Sequence, residues 1–96
     1  MYERELRRFR ALVRDRSYII SVHALEEMGE DDLLNEDIEH VVLTGKIVER
    51  QLDRASRERK YVFSGTSCDG EKVAVVLKMG PTGKAMVITA YREGEQ

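Results

Sequence analysis

Apolar residues in the first fifteen positions recur every three or four residues: Tyr2, Leu6, Phe9 and Val13, with Leu12 beside them. Arg4, Arg7, Arg8 and Arg14 fall on other faces, so this spacing predicts one amphipathic helix over residues 3–15. Ser21 offers a side-chain oxygen to the free amides of a second helix, whose packed face is Ala24, Leu25 and Met28 and which ends at Gly29 or in the acidic run after it. Asn35 is positioned to cap a third helix. Glu36 and Asp37 complement the positive end of its dipole, Ile38, Val41 and Val42 form its stripe, and Gly45 stands where a left-handed C-terminal cap is expected.

Beyond Gly45 the period shortens to that of strands. Ile47 and Val48 open a strand running to about Asp53, and a charged connection to Arg59 leads into a second strand at Tyr61, Val62 and Phe63. Asp69-Gly70 suits a tight hairpin before the most apolar run, Val73 to Leu77, and Gly80-Pro81-Thr82-Gly83 turns the chain into a last strand, Met86 to Tyr91. Three helices followed by four consecutive strands predict an α+β fold, with the helices packed on one face of a four-stranded antiparallel sheet. Strict alternation would place Ala85, Val87, Thr89 and Tyr91 on one side and Met86, Ile88, Ala90 and Arg92 on the other. If the helices cover the Met86 and Ile88 side, Thr89 and Tyr91 share the open face with Tyr61 or Lys78, according to register.

A chain of 96 residues forms a single domain and commits most of its apolar positions to one core. Its single cysteine, Cys68, excludes an intrachain disulfide and any multi-cysteine metal site, and fits a reducing cytoplasm. The charged N-terminus carries no secretory pattern and no apolar run is long enough to span a bilayer, so a cytoplasmic protein without membrane contact is expected. The net charge of −2 conceals segregation. Residues 1–20 carry six arginines against three acids, residues 21–45 carry eight acids and no lysine or arginine, and residues 46–96 carry ten basic residues against seven acids. Two basic segments folded onto one side would make a phosphate-facing surface, whereas an acidic middle reads as a solvated helical face.

His23, in the first turn of the second helix and ahead of Glu26 and Glu27, is a titratable candidate for acid–base chemistry; its structural alternative is a ring hydrogen-bonded to the backbone or to those carboxylates. Lys78 interrupts an apolar strand, where it either binds an anion or snorkels from an outer face. His23, Glu26, Glu27 and His40 do not form an established zinc motif, so no metal and no cofactor is expected. Gly80 to Lys84 lacks the Gly-Lys-Ser/Thr ending of a phosphate loop and reads as a turn.

The order Ser21-x-His23-Ala24-x-x-x-Met28, the acidic helix start before Ile38, Gly45-x-Ile47-Val48-Glu49, the Tyr61 strand ending near Gly65, and Val87-Ile88-Thr89-Ala90-Tyr91 resemble the small bacterial domain-of-unknown-function family numbered forty-two fifty-eight. The resemblance covers residues 18–92 and leaves residues 1–16 as a helical extension. It implies a fold related to the RelE and BrnT ribonuclease toxins, with RNA and an antitoxin-like protein as the implied partners. By that likeness His23, Lys78 and Tyr91 are catalytic candidates, while Arg50, Lys60, Thr89 and Arg92 are candidates for holding the substrate phosphate. Glu27 departs from the pattern, since family members often carry an arginine directly before this methionine. Three functions follow: a metal-independent RNA endonuclease, a non-catalytic module binding protein or nucleic acid, and a homo-oligomeric structural domain.

Overall fold

The computed structural model describes residues 1–94 and has the order α1 (Glu3–Arg14), β1 (Tyr18–Ile20), α2 (Val22–Glu30), α3 (Asn35–Thr44), β2 (Lys46–Leu52), β3 (Arg59–Thr66), β4 (Lys72–Met79) and β5 (Ala85–Arg92). The three helices stand where the apolar period predicts them. Ser21 caps α2 by accepting the Ala24 amide at 3.1 Å. The residue flanking α3 is Leu34 rather than Asn35, and the cap is supplied from inside the helix: the Asp37 carboxylate accepts the Leu34 amide at 2.9 Å. Leu25, expected in the packed face of α2, is 51% exposed, leaving Ala24 and Met28 to bury that helix.

The sheet has five strands in the order β1-β5-β4-β3-β2, not four, and is mixed rather than wholly antiparallel. The strand missed by periodicity is β1, only three residues long, which pairs in parallel with β5 through Tyr18↔Ala85 and Ile20↔Val87. The remaining pairs, β2–β3, β3–β4 and β4–β5, are the expected antiparallel meander.

Two bulges overturn strict alternation. In β5, Val76 pairs with Thr89 but Leu77 pairs with Val87, so Ile88 is an extra residue and the strand changes phase there. Ala85, Val87 and Ala90 therefore face the helices together, while Met86, Thr89 and Tyr91 share the outer face; the helices cover the Val87 side, not the Met86 and Ile88 side. In β2 the register skips Val48 between Ile47 and Glu49.

The core lies between the helices and the inner sheet face, with Phe9, Ile38, Val41, Val42, Phe63, Val75, Leu77 and Val87 essentially inaccessible to solvent. Phe9 meets Phe63 edge-on at 5.8 Å and leans on Tyr61 at 5.6 Å, a geometry that aromatic quadrupoles favour. Arg10 ties α1 to the end of α3 by donating to the Val42 and Gly45 carbonyls at 2.9 and 2.6 Å. Gly45 is not a left-handed cap: its φ is −86°. A Cβ there would sit 2.6 Å from the Val41 carbonyl oxygen and 3.0 Å from the Gly65 Cα, so the glycine permits α3 to pass directly over β3.

Candidate functional site

The outer edge of β5 is closed by α2. Beyond β1, the Ser21 amide donates to the Val87 carbonyl and the Ser21 hydroxyl to the Ile88 carbonyl, at 3.0 and 3.1 Å. The Glu27 carboxylate then accepts the Ala90 amide at 3.0 Å, and the Asp31 carboxylate accepts the Arg92 amide at 2.8 Å. Glu27 and Asp31 are one helical turn apart and meet every second residue of the strand, so the helix completes the hydrogen bonding of the sheet edge. His23 sits on this seam: its Nε2 lies 3.4 Å from the Glu27 carboxylate, and two-thirds of its side chain is exposed.

Arg92 is also held at this seam. Its guanidinium donates to the Asp31 carbonyl at 2.7 Å and to the Glu71 carboxylate at 2.8 Å, with Asp69 at 3.7 Å. It thereby ties the α2–α3 connection to the β3–β4 hairpin. Nearby, Asp37 accepts the Cys68 amide at 2.9 Å as well as the Leu34 amide. Burial pushes the Asp37 carboxyl up, but those two amides and the Arg92 charge outweigh it and hold the group below the ordinary carboxylate range. The Cys68 thiol is pushed up by desolvation and by the Asp37 charge, which disfavours the thiolate a nucleophile would need.

Lys60, Lys78, Thr89 and Tyr91 occupy the outer sheet face, the one opposite the helices among the described residues. Lys78 lies in the row of Met86, whereas Tyr91 lies in the row of Ala74, four residues away along β4 and so about 13 Å distant in backbone terms. Lys78 Nζ donates to Glu58 at 2.8 Å and holds that carboxyl below its usual range. Among the described residues His23 makes no polar contact with Lys78 or Tyr91. Lys78 and Tyr91 thus share a face without meeting, and His23 stands on the α2 seam at the edge of β5. Arg50 faces the opposite way from Lys60 and Lys78: it pairs with Tyr61 and lies over the Tyr2 ring at 5.9 Å.

The residues that do converge lie at the far end of β2 and β3, in the segment that reads from sequence as a charged connection. A cavity of about 760 Å³ opens there, lined by the apolar Leu52, Tyr61 and Met79, by Arg54, Arg57 and Arg59, and by Asp53 and Glu58. The loop is a built one. Asp53 Oδ1 accepts the Ala55 and Ser56 amides at 2.9 and 3.2 Å, the Arg57 amide returns to the Asp53 carbonyl at 2.7 Å, and Arg57 takes a left-handed φ of 63°.

This folding commits both loop carboxylates. The Ser56 and Ala55 amides hold the Asp53 carboxyl low, with Lys60 at 3.9 Å, and Glu58 is engaged by Lys78. Among the described residues, no carboxylate lies within ion-pairing distance of Arg54, Arg57 or Arg59. Exposed arginines on α1 also lack such partners, but these three are gathered by one cavity with apolar residues in its lining. The signal available in the sequence was the density of arginines between Asp53 and Lys60; what hid it was the presence of Asp53 and Glu58 in the same stretch.

A second cavity, of about 470 Å³, lies between β1, α2 and α3, where the Tyr18 hydroxyl donates to Glu39 at 2.6 Å. Burial and the Glu39 carboxylate push the Tyr18 phenol well up, so it remains a donor. His40 is held to the Thr66 carbonyl at 2.7 Å through Nδ1. Among the described residues no group of three or more His, Cys, Asp or Glu side chains is arranged to hold a metal ion, and no helix is long and apolar enough to cross a membrane.

Fold and site together define a small α+β domain: three helices on a five-stranded mixed sheet, with an arginine-lined cavity at one end of that sheet. Residues 20–92 match the family described as Domain of unknown function (DUF4258), and the chain belongs to that family. The matched span takes in every element except α1 and the first two residues of β1. No curated protein and no solved structure matches the chain.

Proposed function

We propose that this domain binds RNA, with the β2–β3 end of the sheet as the phosphate-contacting surface. The observation that carries the reading is the gathering of Arg54, Arg57 and Arg59 around one cavity while the two carboxylates that also line it are engaged, Asp53 by the Ala55 and Ser56 amides and Glu58 by Lys78. Guanidinium groups without an internal partner supply planar, charge-assisted donors to phosphate oxygens. Arg50 stands close by, over the ring of Tyr2, which packs edge-on against the cavity residue Tyr61 at 6.2 Å. The acids of residues 21–45 belong to α2, α3 and their connection, so the overall charge of −2 does not describe the field at the cavity.

The RelE-like relationship implied by the sequence resemblance favours RNA over other polyanions as the ligand. Binding without turnover is the better-supported activity. RNA cleavage through the 2′-hydroxyl needs a base, an acid and cations around one phosphate, and Lys78 and Tyr91 stand about four strand residues apart with Lys78 engaged by Glu58.

Fluorescence anisotropy with a labelled RNA decamer at low salt tests the proposal. The wild type binds, and a folded Arg54→Gln/Arg57→Asn/Arg59→Gln variant binds at least about tenfold more weakly, because three phosphate contacts are lost. Asparagine is chosen at position 57 because it tolerates the left-handed backbone. Equal binding by the two proteins refutes this site. Incubation of the same RNA with the wild type in EDTA leaves it intact; metal-independent cleavage would instead restore the nuclease reading.

A further inference from the structure

Resting on the RNA-binding reading, we infer that the arginine-lined cavity receives one unstacked nucleotide, so that the protein selects single-stranded RNA over duplex. A surface that met only a phosphate backbone would need a rim of cations and nothing beneath it. Here Leu52, Tyr61 and Met79 line the same cavity as the arginines and the engaged Asp53 and Glu58. Leu52 is 63% exposed at the end of β2, Met79 ends β4, and the buried Tyr61 contributes the inner wall. A large aliphatic side chain left in water in the lining of a charged cavity is a natural contact for an apolar ligand surface.

The cavity volume of about 760 Å³ falls in the range of roughly 300–1,000 Å³ typical of small-ligand sites. A nucleotide splayed from a single strand presents both groups such a site requires. Its base has an apolar face that can lie on Leu52 and Met79, and guanidinium planes can stack on the other side; its phosphate meets the remaining arginines. A duplex keeps its bases stacked inside and offers the cavity only sugars and phosphates. It would reach the arginines and leave the apolar lining uncovered.

The loop geometry supports a preformed site. The Asp53 cap, the Arg57-to-Asp53 backbone bond and the 2.9 Å bond from the Asp53 amide to the Glu58 carbonyl fix the segment that carries Arg54 and Arg57. Arg59 is already in β3, paired with Leu52. The same cross-strand pair therefore sets one arginine beside the exposed Leu52.

Three labelled decamers at one salt concentration test the inference: an unstructured single strand, a duplex, and a single strand of abasic residues with the same phosphates. The single strand is expected to bind the wild type about tenfold more tightly than either of the others, a factor within the range for stacking one base. Leu52→Thr and Met79→Gln, assayed as separate folded variants, should each reduce that preference severalfold. Equal affinity for all three decamers would overturn the single-nucleotide site and leave RNA binding standing. A preference that persists in both variants would also overturn it, because the base would then be recognised elsewhere. Failure of all three to bind would remove this inference together with the function it rests on.

Discussion

The Glu27 carboxylate and the Ala90 amide, 63 residues apart, are joined by a 3.0 Å hydrogen bond that fixes α2 against the edge of β5. The relationship gives a physical meaning to Glu27, where the family resemblance led one to expect an arginine. An arginine has no acceptor and could not satisfy an edge amide. In this chain the position holds the sheet edge closed.

Glu27→Ala should destabilise the fold by about 1–3 kcal/mol, the usual cost of removing one partner of a part-buried hydrogen bond. Glu27→Gln, which keeps a carbonyl oxygen at the same reach, should retain most of that stability. Urea unfolding followed by circular dichroism distinguishes them, and equal losses in the two variants would count against the hydrogen bond as the cause.

Asp37 sets an acid limit on stability. Its folded-state carboxyl is held low, so its contribution is fully present above the ordinary carboxyl pKa of about 3.9 and is lost as pH falls through the folded value. Urea midpoints measured from neutral pH downward should fall steeply below about pH 4 in the wild type. Asp37→Asn should start lower at neutral pH and decline less on acidification. Parallel curves would assign the acid transition to the other carboxylates.

Salt dependence reports how many phosphates the arginines meet. If all three each neutralise one phosphate of a single strand, the logarithm of the binding constant should fall with the logarithm of salt at a slope of about −2. Replacing any one of Arg54, Arg57 or Arg59 should make that slope shallower by about 0.7. Lys78→Ala should leave the slope unchanged, since Lys78 is paired with Glu58 and meets no phosphate, but should weaken binding because it frees the Glu58 carboxylate at the cavity. A reduced slope in Lys78→Ala would move the contact surface to the outer sheet face.

Gly45→Ala tests the close passage of α3 over β3. The added methyl would press on the Val41 carbonyl and on the Gly65 backbone, neither of which can turn aside as a side chain could. A loss of about 1–3 kcal/mol is expected, as for overpacking in a core. Gly29→Ala, at a helical position open to solvent, should instead be neutral or slightly stabilising. Comparable losses at both positions would contradict the packing explanation.

The helices were legible because each repeats its apolar residues with a helical period and because Ser21 has the chemistry of a cap. The antiparallel meander was legible from its turns: Gly70 and Gly83 both take the left-handed φ that such turns demand. Strand β1 was not, because Tyr18 to Ile20 is too short to show alternation and its partner is the last strand of the chain. The face assignment was right for Thr89 and Tyr91 and wrong in its reason, since a bulge leaves no mark on an alternating pattern. Arg92, placed by alternation on the Met86 side, shares the inner side with Ala90 and is separated from Met86 by that same bulge. The arginine cavity was hidden for a different reason: mixed charge in a loop reads as solvation until the hydrogen bonds of Asp53 and Glu58 are known.

The extra residue in β5 makes the strand a two-phase element and gives it one position at which its length can change. Deleting Ile88 alone would remove the bulge and leave Leu77 opposite Val87 and Val76 opposite Thr89, so Thr89 and Tyr91 would stay outward and Ala90 and Arg92 inward. The clamp on the α2–α3 connection and the bonding of Glu27 and Asp31 along the edge would keep their register, while the Ser21 hydroxyl would lose its Ile88 acceptor. Loss of Ile88 should therefore be better tolerated than loss of Ala90 or Tyr91, and a library of single-residue deletions would map the bulge as a local maximum in folded yield.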